Sequence, residues 1–370
     1  RICVDCRSPG QGGVLTYTAN LVNSLVADAG SDYLLLTDSD TEDWLRHDVE
    51  QIRVPSSNPL AWMVWSNAEL PALLQKKRID IYHTLKHVTA FRIPVKSLLT
   101  FHGAEMIYRF PKLYKWHDLV YWRLDYNLAA RRYDRILTAT NAEARFFADR
   151  AGIPDGRFSV TPFAADSRFR PIEDLWVLTD ARVRLQLPEL FILSVSRFHP
   201  IKNIEKLIIA YSQAIRDFPR PYKLVLTGTK DGPYYEQMVA LVKELELEDN
   251  VLFIGWVPPN ELLLLYNLAS LFVFPLLHEN FGIALLEAMS CGLPTITSAL
   301  PYIEEVVDSA AVKVDPNSES CLAKAMVQVL SCDTTRKRLS KESLRRSQMF
   351  SWDQCAASTH EAYDAVARSR

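Results

Sequence analysis

The sequence predicts an α/β protein of two doubly wound domains, and three observations carry that expectation. The first is length: 370 residues exceed what one ordinary core organises, and at roughly 150 residues per domain they suggest two. The second is composition. Hydrophobic residues make up 48% and charged residues 23% of the chain, which is the balance of a globular enzyme and excludes a disordered or fibrous protein. The third is order. Short β-branched or aliphatic runs alternate throughout with longer segments of helical period, a pattern that implies parallel sheets covered by helices on both faces.

In the first half the strand-like runs are 2–6, 33–37, 79–83, 97–102, 135–140 and 158–163. In the second half they are 190–196, 222–227, 251–255, 271–275, 294–297 and 312–315. Segment 166–188, with Pro171 and Pro188 and no long strand, reads as the linker. Ser351 followed three residues later by Gln354 is a capping-box signature for a last helix running toward Arg370. The most apolar stretch, 262–277, is too short for a bilayer, which needs about 20 apolar residues, and it contains Asn267, Ser270 and Pro275. It is expected as a core helix followed by a strand.

Net charge is −2, so bulk electrostatics argue against nucleic-acid binding. The charge is uneven: residues 1–170 hold 22 Lys and Arg against 19 Asp and Glu, and the remainder 20 against 25. Six cysteines are too few for a disulfide scaffold. Cys3 and Cys6 fall in the first strand-like run, whereas redox motifs of that spacing usually open a helix. A reducing, cytoplasmic setting without a signal peptide is expected.

Open parallel sheets bind ligands beyond the carboxyl ends of their strands, and the informative residues lie there. After the first strand, Gly10-Gln11-Gly12-Gly13 precedes a helical pattern. It is either a loop whose amides approach an anion or a turn required by chain geometry. Asp38 ends the second strand as a ribose-binding acid would, yet the glycine spacing is not that of a dinucleotide fold. In the second half Arg197 and Lys202 flank a strand-end loop before a helix expected to be capped by Asn203. A forked guanidinium and a point ammonium there suit a diphosphate without a metal; two solvated surface cations are the other reading. The richest segment is His278-Glu279-Asn280-Phe281-Gly282-Ile283-Ala284-Leu285-Leu286-Glu287. With a helix starting near Ile283, its amides can hold a phosphate, one carboxylate sugar hydroxyls and the other ribose hydroxyls.

These residues resemble the GT-B fold retaining glycosyltransferases of family 4, the group 1 glycosyltransferases. The resemblance is dense over residues 185–355, where S-R-F-H-P-I-K-N, V-L-F-I-G-W-V-P and the segment from His278 lie. In the N-terminal half it rests on Gly12-Gly13, on Thr100-Phe101-His102-Gly103 and on Thr138-Ala139-Thr140-Asn141. It implies two Rossmann-like domains facing each other across a cleft. Residues 1–168 would bind the acceptor, 169–350 the nucleotide-sugar donor, and 351–370 would form a helix packing back on the N-terminal domain. It implies that Glu279 contacts the donor sugar and Glu287 the ribose, while Arg197 and Lys202 bind the diphosphate. Asn280, Phe281, Gly282 and Ile283 would line the sugar and phosphates, and Val257 would lie at the nucleobase. Gly12 and Gly13 would belong to the loop closing over the donor, and His102 to the sugar side of the cleft. The sequence departs from the family at Leu276, Asn280, Gly103 and around Pro162-Phe163-Ala164; none of these removes a charged donor contact.

The function implied is retaining transfer of a hexosyl group from a UDP- or GDP-hexose to a saccharide or lipid-linked saccharide, in surface polysaccharide or glycan assembly. No metal or other cofactor is required. A nucleotide-sugar epimerase and a non-catalytic nucleotide-sugar-binding subunit are the alternatives on the same fold. Segment 106–135 carries a net +4 interleaved with Tyr108, Phe110, Tyr114, Trp116, Tyr121, Trp122 and Tyr126. An apolar patch at Leu60-Ala61-Trp62-Met63-Val64-Trp65 lies earlier in the chain. Either these aromatics fill the N-terminal core, or they attach that domain peripherally to an anionic leaflet at the inner face of a membrane.

Overall fold

The structure is a computed structural model. It describes residues 1–7, 12–27, 30–37, 44–54, 59–86, 90, 92–103 and 105–369, apart from the side chains of 59–63 and 130. Gly10, Gln11 and Asp38 lie outside the described residues. The chain divides into two compact units, one of Arg1–Phe163 with Ser351–Arg370, the other of Ala164–Phe350.

The first unit is built on seven parallel strands: β1 (Ile2–Asp5), β2 (Tyr33–Thr37), β3 (Glu50–Arg53), β4 (Ile81–Thr84), β5 (Lys96–Thr100), β6 (Arg135–Thr138) and β7 (Phe158–Val160). Their order across the sheet is β3-β2-β1-β4-β5-β6-β7. β1, β2 and β4 are buried along their whole length. That is why they read as continuous apolar runs, since helices cover both faces of a parallel sheet. β3 was not foreseen. Its Glu-Gln-Ile-Arg sequence is largely exposed and shows no strand period, and it forms by pairing with β2 from Leu34↔Glu50 to Thr37↔Arg53. Cys3 and Cys6 are buried and are not joined in a disulfide, as the strand reading expects.

Helix Trp352–Arg368 closes this unit. Ser351 caps it by accepting from the Gln354 amide, and Ser24 Oγ on helix Gly13–Ala27 donates to Asp353 Oδ1 at 3.2 Å. Deeper, Tyr363 on the same helix hydrogen-bonds His83 Nδ1 at 2.8 Å.

The second unit holds six parallel strands: β8 (Phe191–Val195), β9 (Lys223–Thr227), β10 (Val251–Gly255), β11 (Leu271–Phe274), β12 (Thr295–Ser298) and β13 (Val312–Val314). Their order is β10-β9-β8-β11-β12-β13. Both sheets reverse direction beside their first strand, the topology that opens a crevice at the strand ends. Segment 262–277 contains the end of helix Pro259–Leu268 and then β11, as expected. Among the described residues no helix is long and apolar enough to cross a membrane.

Candidate active site

In the second unit the site grows from the ends of β8 and β11. After β8 the chain passes Arg197 and makes a tight 3₁₀ turn over Pro200–Lys202 before helix Ile204–Ala214. Asn203 does not cap that helix as the sequence suggested. It adopts a left-handed backbone at φ 58° and makes no side-chain cap. Its buried amide instead donates to the carbonyls of Pro275 and Pro316, both at 2.8 Å. The Leu277 amide donates to Ile201 O at 2.9 Å. The turn carrying Lys202 is thus bolted to the chain leaving β11.

That chain carries Glu279. Lys202 Nζ donates to Glu279 Oε2 at 2.5 Å, and the Asn280 amide donates to Glu279 Oε1 at 3.2 Å. Burial resists ionisation of Glu279, but Lys202, His278 and the Asn280 amide together outweigh it and hold the carboxyl below its ordinary range. Lys202 also lies 5.4 Å from the Phe274 ring centroid. His199 is held below the usual imidazole range by burial and then by Arg197 and Lys202, so both cations act on one short loop. Arg197 is exposed and makes no ion pair among the described residues.

Helix Ile283–Ser290 begins immediately after this pair, with Gly282 at φ 85° as its first flanking residue. That left-handed φ favours glycine, and a Cβ there would lie 2.9 Å from Leu285 Cδ1, the movable end of a side chain. Phe281 is buried and meets the Phe350 ring edge-on at 5.7 Å between centroids. The first amides of a helix have no intrahelical acceptor and attract anions, and here they follow directly on Glu279, Asn280 and Phe281. Glu287 stands one turn along. Tyr266 donates to its Oε2 at 3.0 Å. Burial raises the Glu287 carboxyl to about 7 despite that bond, with Asp166 adding to the rise and Arg168 opposing it.

Two features of this end of the sheet escaped the sequence reading. Gly228, just past β9, packs so closely that a Cβ would lie 2.3 Å from the Ser196 carbonyl oxygen. Tyr266 sits inside an apolar helix run, and nothing in that run marked it as the partner of Glu287. Val257 is half-buried after β10, beside the exposed Trp256. Among the described residues no group of three or more His, Cys, Asp or Glu side chains is placed to hold a metal ion.

The remaining expected residues belong to the first unit. Gly12 has φ 109°, and Gly13 opens helix Gly13–Ala27, with open space around both. His102 donates from Nε2 to Leu85 O at 2.9 Å, which leaves Nδ1 as the lone-pair nitrogen. Burial lowers its pKa to about 4. Tyr17 meets the His102 ring edge-on at 4.7 Å, and its hydroxyl lies 3.2 Å from Thr100 Oγ1, which in turn lies 2.9 Å from His83 Nε2. His102 is therefore a neutral, firmly oriented ring.

Residues 179–346 match the model of the glycosyl transferases group 1 family, and residues 11–168 match that of glycosyltransferase family 4. The chain is a group 1 glycosyltransferase. This glycosyltransferase is 29% identical to the O-antigen chain mannosyltransferase B of Escherichia coli over 76% of its own length and 74% of the relative's. It is 31% identical to the serotype-specific mannosyltransferase WbdA of Escherichia coli over 57% of its length, but spans only 25% of that longer protein. Among solved structures it shares its fold with the sucrose-phosphate synthase of Thermosynechococcus elongatus, at a TM-score of 0.78 and 23% identity over 98% of both chains. It is also similar to Anabaena HepE, solved with UDP and glucose, at a TM-score of 0.76 and 18% identity over 98% and 99% of the two chains. These neighbours establish the GT-B architecture for the glycosyltransferase.

Proposed function

We propose that this glycosyltransferase moves a hexosyl group from a nucleoside-diphosphate hexose, UDP- or GDP-linked, to a saccharide or lipid-linked saccharide acceptor, with retention at the anomeric carbon. The observation that carries the reading is the Lys202–Glu279 pair at 2.5 Å, set directly before the N-terminus of helix Ile283–Ser290. An ionised carboxylate beside helix amides and an ammonium offers acceptors to sugar hydroxyls and positive charge to the adjoining diphosphate. Arg197 on the same loop adds a second cation for the leaving group, so the departing charge is met without a metal. Glu287, raised by burial and aligned by Tyr266, takes the ribose hydroxyls, and Val257 borders the base. For His102 and the Gly12-Gly13 turn, a role toward the sugar rests on the family resemblance.

Retention follows the family habit of front-side attack, in which the leaving phosphate takes the proton of the acceptor hydroxyl. Its bond to the anomeric carbon breaks as the new glycosidic bond forms on the same face. The mannosyltransferases of O-antigen assembly among the relatives favour surface polysaccharide as the setting. The reaction is placed at the inner face of a membrane, reached by peripheral contact of the first unit. A thermal-shift panel of UDP-, GDP- and ADP-sugars with and without EDTA tests the donor site. One nucleoside diphosphate should stabilise the enzyme equally in both conditions. No shift with any donor, or a shift abolished by EDTA, refutes the site as drawn. Proton couplings of the product should show the donor's anomeric configuration.

A further inference from the structure

We infer that Tyr363, on the C-terminal helix, is a positioning residue for His102 and acts on it through a buried chain of polar groups formed by His83, Thr100 and Tyr17. The inference rests on the reading of His102 as a residue of the sugar side, and adds the groups that set the angle of its ring. All five residues belong to the first unit. His102 is held at one end by the bond from Nε2 to Leu85 O. Nε2 lies close to the axis about which the ring turns on its Cβ–Cγ bond, so this bond fixes the ring's place better than its tilt. Nδ1, the remaining acceptor, lies well off that axis and swings with the tilt. Aromatic contacts limit that swing. Tyr17 meets the ring at 4.7 Å with an interplanar angle of 73°, and Phe163 meets it at 5.7 Å and 44°. Tyr17 is wholly buried and stands one turn beyond Gly13 on helix Gly13–Ala27. Its helix therefore begins at one of the first-unit features that the family resemblance assigns to the sugar, and its ring touches the other.

The Tyr17 ring is steered in turn from its hydroxyl. That hydroxyl lies 3.2 Å from Thr100 Oγ1, Thr100 Oγ1 lies 2.9 Å from His83 Nε2, and His83 Nδ1 lies 2.8 Å from the Tyr363 hydroxyl. All four residues are buried. Burial, and then the neighbouring His102, pushes the His83 imidazole down to about 3, so the ring is neutral, with one donor and one acceptor nitrogen. Its two hydroxyl neighbours must then take opposite roles, one donating and the other accepting. The chain therefore runs in a single sense, and the Tyr363 hydroxyl takes part in deciding which nitrogen of His83 carries the proton. Side chains that only filled this space could be Phe and Val, which need no such partners. A buried hydrogen-bonded chain instead makes rigid what it joins. The same helix meets Tyr17 a second time. Trp352, its first residue, lies 6.0 Å from the Tyr17 ring and stacks on Phe163 at 6.4 Å. Helix Trp352–Arg368 thus reaches the surroundings of His102 through two residues about three turns apart.

The test uses the full chain labelled with ¹³Cε1-histidine, in which the His102 ring signal is the one lost in His102→Ala. Tyr363→Phe removes one hydroxyl, Thr100→Val removes the link to Tyr17, and Thr100→Ser restores a hydroxyl at that point. The first two should move or broaden the His102 signal and leave those of the exposed His47 and His117 in place. Thr100→Ser should keep the wild-type signal. In donor turnover with UDP-glucose and with GDP-mannose, Tyr363→Phe and Thr100→Val should each lower kcat about fivefold to tenfold, which is what one buried hydrogen bond contributes. The thermal shift given by UDP or GDP should stay that of the wild type. In a His102→Ala background the same substitutions should lower kcat less than about twofold, since no ring is left to orient. A general loss of packing would add in full to the His102→Ala defect, and that additivity refutes the positioning role. So does a His102 signal indifferent to Tyr363→Phe and Thr100→Val, whatever the activity. A His102→Ala enzyme as active as the wild type, with the signal moving as expected, leaves the positioning of the ring standing and refutes instead the role of His102 at the sugar.

Discussion

Replacing Lys202 by methionine keeps most of the length of the side chain and removes its charged donor. In the structure its ammonium lies 2.5 Å from Glu279 Oε2, and both side chains are mostly shielded from solvent. Unit charges about 4 Å apart interact by about 4 kcal/mol at an effective dielectric near 20. The variant should lose that stabilisation in two separately measurable ways. A preorganised charged donor to a developing anion is worth about 3–4 kcal/mol, so kcat/KM should fall by roughly two to three orders of magnitude. In addition, Glu279 is left with burial, which raises its pKa, and without the cation that lowers it. Activity that requires the ionised carboxylate should then be lost at a higher pH on acidification than in the wild type. The assay is kcat/KM against pH, with Lys202→Arg as the control that keeps a cation. A variant within threefold of wild type, or one whose acid limb does not move upward, would refute the assignment of this pair to the donor.

Glu287 should report the nucleotide through protons. Its folded pKa of about 7 lies above the ordinary carboxyl value, so the native state holds a proton that the unfolded chain releases. Its contribution to stability therefore declines as pH rises between about 4.5 and 7. Ribose hydroxyls favour the ionised acceptor, so nucleoside-diphosphate binding near pH 6.5 should release part of a proton, measured by calorimetry in two buffers, and Glu287→Gln should abolish the release. Glu279→Gln should leave nucleoside-diphosphate affinity nearly intact and cut sugar transfer; equal losses of affinity in both variants would refute this division. Asn203→Ala removes both donors to the Pro275 and Pro316 carbonyls and puts alanine at a left-handed φ. It should cost about 2–4 kcal/mol in urea denaturation, and Asn203→Gly should recover only the backbone part. Arg7→Leu leaves Asp5 as an uncompensated buried charge, since the pair is almost wholly buried and Asp5 also accepts from Tyr82 at 2.8 Å. The expected loss is about 3–5 kcal/mol, partly restored by Asp5→Asn.

The strand-end chemistry was readable because parallel sheets impose it. Apolar runs such as β1 and β8 announce themselves, and the residues just after them face the crevice whatever the rest of the chain does. Glu279, Gly282 and Glu287 could be placed on a loop and a helix from spacing alone, because Gly282 breaks the local pattern and helical geometry then sets the position of Glu287. β3 was not readable. Its polar residues have no preference for a strand, and only the edge of β2 supplies the missing hydrogen bonds. Asn203 illustrates the same limit from the other side: a residue with a strong local habit, capping, was taken for a nonlocal task by two carbonyls over 70 residues away in sequence.

The sequence by itself determined the class of fold, the two series of strands, the identity of the charged groups and the loops that carry them. These follow from period, punctuation and residue chemistry, which are local quantities. Tertiary structure decided which groups meet and in what state. It set Lys202 against Glu279, put Tyr266 beneath Glu287, held His102 neutral by burial and oriented it through Leu85 and Tyr17, and sorted the aromatics of 106–135 into core anchors and an exposed face. Proximity, burial and the resulting protonation depend on chain segments far apart in sequence, and no local pattern records them.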